Sequence, residues 1–298
     1  MKILFDPQIF LHKFGGISRY FVELISELFH TGIDVALPLW KTTNVYFNEN
    51  HNLSDELIKK GYYNIPKSRF YDRIDFKGKG RLDRFFRQVG VFNSNEKKFI
   101  DYSLNNNYDI VHPTHYDSYF LKYIGTKPFV LTIYDMIHEK FPEYFKCGDV
   151  ANKKEFLARR ASAIIAISDS TKADIIKFLK ISEEKIHVVH LASSMMRFEG
   201  NKGDLNIPGE YILYTGQRWI YKNFEKFIKA CAPILISKDL YLVCTAAKFT
   251  KVELRLFEEL HISRNVIHMN CSDSLLAALY TNAKLFVFPS LYEGFGIP

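Results

Sequence analysis

The sequence predicts an α/β protein made of two doubly wound parallel-sheet domains, on three observations. Short apolar runs of strand length alternate with helix-period segments along most of the 298-residue chain, the order that gives parallel strands covered by helices on both faces. Residues 192–209, "ASSMMRFEGNKGDLNIPG", lose all periodicity and gather Gly, Asn, Ser and Pro, as linkers do. The length also exceeds what one hydrophobic core usually fills. The expected division is an N-terminal domain over 1–191, a linker over 192–209 and a C-terminal domain over 210–298.

The elements follow in order. "KILFD" at residues 2–6 reads as a strand. After Gly15 and Gly16, apolar residues at Ile17, Tyr20, Phe21, Leu24, Ile25 and Leu28 mark one face of a helix. Gly32 is placed to cap it, and "IDVALP" follows as the next strand of a βαβ unit. A less regular stretch runs to about residue 107. Strand-like runs resume at "DIVH", "PFVLTI" and "AIIAI", the last leading into "SDSTKADIIKFLK", where Ser168 or Ser170 can cap a helix. "KIHVVHL" closes the first series. Past the linker come "YILYTG", a helix over 224–236, "LYLVC", a helix over 252–260, "VIHM", a helix over 275–280, and "LFVF" at 285–288 as a last buried strand.

A composition of 47% hydrophobic and 15% aromatic residues is that of a globular chain. No apolar run approaches the ~18 residues a membrane span requires, and the N-terminus has no signal-peptide pattern, so a cytoplasmic protein is expected. Cys147, Cys231, Cys244 and Cys271 form no CxxC pair and are read as reduced, mostly buried thiols. The net charge of +7 is concentrated between residues 67 and 87, where eight cations face three acids and Phe70, Tyr71, Phe76, Phe85 and Phe86 are interleaved. That composition suits anionic lipid headgroups better than nucleic acid, and a solvated basic face with inward-packed aromatics accounts for it equally well.

Ligands of open parallel sheets bind outside the carboxyl ends of the strands, so the loops there carry the chemistry. Three are distinctive. In "LHKFGGISRY" the pair Gly15 and Gly16 opens a helix, so backbone N–H groups and the helix dipole can face an anion such as a diphosphate; a plain structural turn is the alternative. In "YTGQRWIYKNF", Gly216 ends a strand and Arg218 and Lys222 precede a helix. A planar fork of donors and a compact ammonium together can hold a diphosphate and neutralise it as it leaves. Cations beside a helix N-terminus oppose its dipole, a conflict that an anionic ligand would remove. In "PSLYEGFGIP", Glu293 can accept hydrogen bonds from sugar hydroxyls, with Gly294, Phe295 and Gly296 offering backbone N–H groups.

The stretches "GGISRY", "RASAIIAISDSTKADI", "YILYTGQRWIYKNF" and "LFVFPSLYEGFGIP" occur in an order and spacing that resembles the GT-B glycosyltransferases, specifically the retaining family 4 enzymes that build bacterial polysaccharides. The resemblance covers nearly the whole chain. It implies two Rossmann-like domains facing a cleft, a nucleotide-diphosphate sugar as donor and a growing, lipid-linked cell-surface glycan as acceptor. Hexosyl transfer is implied, with mannose as the first sugar expected, on the inner face of the plasma membrane. It places Gly15 and Gly16 near the donor diphosphate, Arg218 and Lys222 on it, and Glu293, with Phe295 and Gly296, at the donor sugar as the first acid of an E-x7-E motif. The second acid would fall eight residues later, past residue 298. A C-terminally truncated second domain is therefore expected, and a non-catalytic remnant that binds sugar nucleotide is the alternative reading; a GT-B epimerase or phosphorylase fits the stretch around Glu293 less well.

Where many relatives carry a His-Asp pair after a strand, "PFVLTIYDMIHEKFP" has Tyr134 and Asp135 with His138 close by. Asp135 and His138 are thus candidates beside the reacting sugar, with His138 packed on Phe141 as the alternative. "DIVHPTHYDSYF" places His112 and His115 after a strand on the acceptor side, either as substrate contacts or as structural histidines. No DxD carboxylate pair occurs, so no metal and no cofactor are expected, and Arg218, Lys222 and backbone N–H groups take the electrostatic role.

Overall fold

In the computed structural model the first strand is β1, Lys2–Phe5, and it pairs in parallel with both β2 (Asp34–Ala36) and β3 (Ile110–His112). The structure describes residues 1–63, 94–145, 149–193 and 205–297. The basic aromatic segment at 67–87, Cys147 and most of the expected linker lie outside them. The chain divides into two units, Met1–Leu191 and Ala192–Pro298.

In the first unit β4 (Val130–Ile133), β5 (Ala163–Ala166) and β6 (Ile186–Val188) form a second parallel ladder. A parallel bridge between Val111 and Phe129 links β3 to the residue before β4, so the strands follow one another as β2-β1-β3-β4-β5-β6. The order reverses direction between β1 and β3, the switch point of a doubly wound sheet. Helix α1, Gly16–His30, buries Phe21, Val22 and Ile25 and ends at Thr31, with Gly32 at a φ of 78° just beyond. Among the described residues, the irregular stretch of the sequence contains three helices, α2 (Val45–Glu49), α3 (His51–Lys59) and α4 (Ser94–Asn105). Short helices α5 (Ile137–Lys140) and α6 (Asp149–Arg160) follow β4, and α7 (Asp169–Leu179) follows β5. Of the two serines that can cap α7, Ser168 does so, its hydroxyl accepting from Thr171 N at 3.0 Å.

The second unit is a parallel sheet in the order β10-β7-β8-β9. The strands are β7 (Tyr211–Tyr214), β8 (Tyr241–Cys244), β9 (Val266–His268) and β10 (Leu285–Phe286), joined by α8 (Phe224–Ser237), α9 (Lys251–Glu259) and α10 (Asp273–Asn282). Successive strand residues point to opposite faces, and each face has its own core. Ile212, Tyr214, Leu242 and Cys244 pack with Phe224, Ile228, Leu235 and Phe257, whereas Tyr211, Leu213 and Val243 pack with Ala278 and Leu279. This partition is why near-continuous apolar runs such as "YILY" fold as central strands covered on both sides.

The last strand is shorter than the run "LFVF" suggests. Only Leu285 and Phe286 enter the ladder, and Leu285 is 54% exposed. Among the described residues β10 pairs with β7. Cys231 and Cys244 are buried free thiols and Cys271 is half-buried. Among the described residues no helix is long and apolar enough to cross a membrane.

Candidate functional site

The second unit brings two of the candidate residues into direct contact. β7 delivers Thr215 and Gly216, and Gly216 has a φ of 97° with open space around its missing Cβ, so the backbone conformation and not crowding calls for glycine. The chain then runs through Arg218 and a 3-10 turn at Ile220–Lys222 into α8. Leu291 N donates to Tyr221 O at 2.8 Å, tying the loop after β10 to the loop after β7. Across that tie Lys222 Nζ lies 2.5 Å from Glu293 Oε1, with 16% and 25% of the side chains exposed. The strand order reverses here, since β8 and β9 lie on one side of β7 and β10 on the other, so the pair occupies the switch point of the unit. Gly294 is buried in the same loop, Phe295 and Gly296 are exposed, and the Ser290 hydroxyl is buried without a hydrogen-bond partner.

Arg218 has protein partners of its own. Its side chain is 4% exposed and its Nε donates to Glu253 Oε1 at 2.5 Å. Nη2 donates to the carbonyls of Ala247 and Lys248 at 2.8 and 3.0 Å. The conflict between two cations and the start of α8 is thus relieved inside the protein, by Glu253 and Glu293.

In the first unit the remaining candidates occupy the carboxyl ends of β1, β3 and β4. Gly15 caps α1 with a φ of 151° and ψ of 149°, a conformation open to glycine, and Gly16 is the first helical residue. The preceding loop is braced from outside: Asn44 Nδ2 donates to His12 O at 2.7 Å and Val45 N to Lys13 O at 3.0 Å. The switch point itself is crossed by a buried carboxylate, for Asp6 accepts from Thr114 N and Thr114 Oγ1, both at 2.7 Å, and from Gln8.

His112 is buried, 2.8 Å from Thr132 Oγ1, and stacked on Phe5, the setting of a structural histidine. His115 lies nearer the surface, its ring 6.3 Å from that of His12. His138 packs on Phe145 at 4.2 Å between ring centroids, and not on Phe141, which stacks with Tyr144; its Nδ1 is buried without a partner. Asp135 accepts from Ile137 N at 3.1 Å, which fixes the turn into α5.

The structure adds residues that the sequence reading did not single out. Lys154 of α6 is 1% exposed, and its Nζ donates to Asp135 O at 2.8 Å and Glu139 Oε2 at 3.0 Å, holding the loop that carries Asp135 and His138. A lysine beside Leu157 and Ala158 on an apolar face was the available signal. Glu253 was half legible, as the acid of a Thr250-x-x-Glu253 capping box.

Titration of the first unit has a definite sign. Burial pushes His112 down to about 4, and burial together with the nearby His12 does the same for His115. Their contribution to stability is present above their ordinary value of 6.5 and is lost as pH falls toward 4. Asp6 opposes them. Burial raises it from 3.8 to about 6 against the hydrogen bonds from Thr114 and Gln8, so its contribution is lost as pH rises through that range. Two rings outweigh one carboxyl, because a tenfold change in proton affinity is worth about 1.4 kcal/mol at any of the three groups. Urea denaturation at pH 7 and pH 5 is expected to show the lower midpoint at pH 5, and His112→Asn is expected to flatten the difference.

Comparison with known proteins agrees with this architecture. S. aureus TarM superimposes with a TM-score of 0.63 at 11% identity, covering 99% of this chain and 82% of TarM. WaaG, a glycosyltransferase involved in lipopolysaccharide biosynthesis, gives 0.61 at 15% identity, covering 100% and 77%. These likenesses establish the GT-B class of fold. The profile of Glycosyltransferase Family 4 matches residues 14–192 and that of Glycosyl transferases group 1 matches residues 197–298. The chain belongs to glycosyltransferase family 4.

Two curated relatives are similar over about half of the chain. The serotype-specific mannosyltransferase WbdA of Escherichia coli is 33% identical over 157 residues, 47% of this chain and 19% of WbdA. The O-antigen chain mannosyltransferase RfbU of Salmonella typhimurium is 29% identical over 141 residues, 47% of this chain and 39% of RfbU. The matched regions thus span well under half of either relative.

Proposed function

We propose that the full-length protein is a retaining glycosyltransferase that moves a hexosyl unit, with mannose as the first candidate, from a nucleotide-diphosphate sugar to a growing, lipid-linked cell-surface glycan at the inner face of the plasma membrane. The observation that carries this reading is the Lys222–Glu293 pair at the switch point of the second unit. An ammonium there meets the diphosphate oxygens as negative charge builds on the leaving group. Glu293 accepts hydrogen bonds from the donor sugar, and it holds the lysine in place before the donor arrives. The Gly15–Gly16 turn approaches the donor diphosphate together with Arg218, the Asp135 and His138 loop lies beside the reacting sugar, His112 and His115 belong to the acceptor side, and the departing diphosphate takes the proton of the attacking hydroxyl. Two further facts support the reading: WbdA and RfbU are named as mannosyltransferases, and TarM has been crystallised with UDP.

A thermal-shift screen of GDP-, UDP-, dTDP- and ADP-sugars on the full-length protein is expected to single out one nucleotide. A site-specific ligand at 100 times its dissociation constant stabilises by about 2.7 kcal/mol. Incubation of that donor with lipid-linked glycan should lengthen the glycan by one sugar. Free nucleotide without glycan growth, or an epimerised sugar nucleotide, would overturn the assignment.

A further inference from the structure

We infer that Trp219 and Ile220 form an apolar platform on the second unit for a neutral sugar of the acceptor glycan. This rests on the reading of the Lys222–Glu293 pair as the place where the donor reacts. The residues between Arg218 and Lys222 are treated unequally. Tyr221 is buried, whereas 58% of Trp219 and 71% of Ile220 is exposed. Single apolar residues at a surface are ordinary, but two large neighbours beside a candidate site mark a contact surface.

The backbone holds both side chains out. Trp219 caps the 3-10 turn in an extended conformation, Lys222 N donates to Trp219 O at 2.8 Å and Asn223 N to Ile220 O at 3.0 Å. The bond from Leu291 N to Tyr221 O ties this turn to the loop that carries Glu293, and exposed Leu291 adds a third apolar side chain at the tie. The indole is steadied by the Tyr221 ring, 5.9 Å away between centroids. A ring with two torsions and a β-branched side chain lose little freedom when a ligand settles on them.

The C–H groups on one face of a pyranose carry partial positive charge, which the negative face of an aromatic ring attracts, while the hydroxyls at the rim stay in water. An anionic lipid headgroup would instead need cations with charge to spare. In this turn both cations are engaged, Arg218 by Glu253 and Lys222 by Glu293, each at 2.5 Å. The surface left around Trp219 is neutral and apolar. Polar groups meet the donor here, and the apolar pair beside them serves the sugar that receives the transfer.

The test compares Trp219→Ala, Trp219→Phe and Ile220→Ser in the full-length protein. Thermal melts should coincide, since both side chains are exposed. Trp219→Ala is expected to raise the acceptor KM about tenfold and Ile220→Ser about threefold, with donor KM and kcat changed less than about twofold. Trp219→Phe, which keeps a ring, should recover most of the loss. Binding is read without turnover in a Trp40→Phe background, where Trp219 is the remaining tryptophan of the 298 residues. Its emission is expected to move with at least one of the lipid-free manno-, gluco- and galacto-oligosaccharides, and not with phosphatidylglycerol vesicles. Emission that follows vesicles and no oligosaccharide would make the turn a membrane contact and overturn the inference. An acceptor KM unmoved by Trp219→Ala, or a donor KM that rises in its place, would overturn it too. An oligosaccharide response in a protein that transfers no sugar would support the platform and count against the proposed activity alone.

Discussion

Lys222→Ala is expected to lower the rate of sugar transfer by about 10²–10³-fold, the usual consequence of removing one preorganised electrostatic contact from a developing charge. The loss should fall on kcat more than on donor KM, because the charge on the leaving diphosphate grows toward the transition state. Glu293→Gln is expected to be milder for chemistry and harsher for donor binding, since an amide still meets sugar hydroxyls but no longer orients the ammonium. Neither variant should unfold the unit. The two side chains are 16% and 25% exposed, so loss of this part-buried pair costs some stability, but neither residue belongs to the two cores that hold the unit together. Initial rates with radiolabelled donor, alongside thermal melts, check both statements. A Lys222→Ala/Glu293→Gln protein with undiminished turnover would remove these residues from the mechanism.

The largest expected stability effect lies in the first unit, at Lys154. Its ammonium is almost wholly buried, with Glu139 at 3.0 Å, Asp135 O at 2.8 Å and the Tyr116 ring beneath it at 5.5 Å. Glu139 is itself 9% exposed and its second oxygen is buried without a partner. Lys154→Met removes the cation and leaves that carboxylate uncompensated, which costs about 3–5 kcal/mol for a buried pair broken from one side. Lys154→Met/Glu139→Gln should recover part of the loss, because the buried carboxylate is neutralised and only the part-exposed Asp135, 3.8 Å from the ammonium in the wild type, keeps its charge. Each unit contains one tryptophan, Trp40 and Trp219, so urea titration in a Trp219→Phe background reads the first unit alone. Equal midpoints for Lys154→Met and wild type would show the lysine to be dispensable.

The parts of this fold that were legible in the sequence share a physical cause. Parallel strands covered on both faces appear as apolar runs, and "KILF", "VLTI", "AIIA", "YILY" and "YLVC" all became strands. Helix α3 escaped because it buries only Leu53 and Leu57, too few apolar residues for a visible period. Helix α4 buries Asn95 and Glu96 along with Phe99 and Ile100, which blurs the pattern. "LFVF" promised a buried strand, but apolar character alone does not say how much of a run enters the ladder. At the candidate site, residue types were legible and partners were not. The contact of Lys222 with Glu293 could be hoped for from two neighbouring strand ends, whereas that of Arg218 with Glu253 joins residues 35 apart, and no spacing rule predicts it.

The two halves of the Lys222–Glu293 contact have unequal foundations. The lysine follows β7, four buried residues that pair with both β8 and β10, and the glutamate follows β10, of which two residues enter the ladder. Local opening costs least where a ladder is short, so backbone amides after β10 should exchange with solvent before those of β7. A ligand that bridges the lysine and the acid would add its binding energy to the weaker half and slow that exchange. On the proposed function, the contact would then also act as a latch, set by the donor itself.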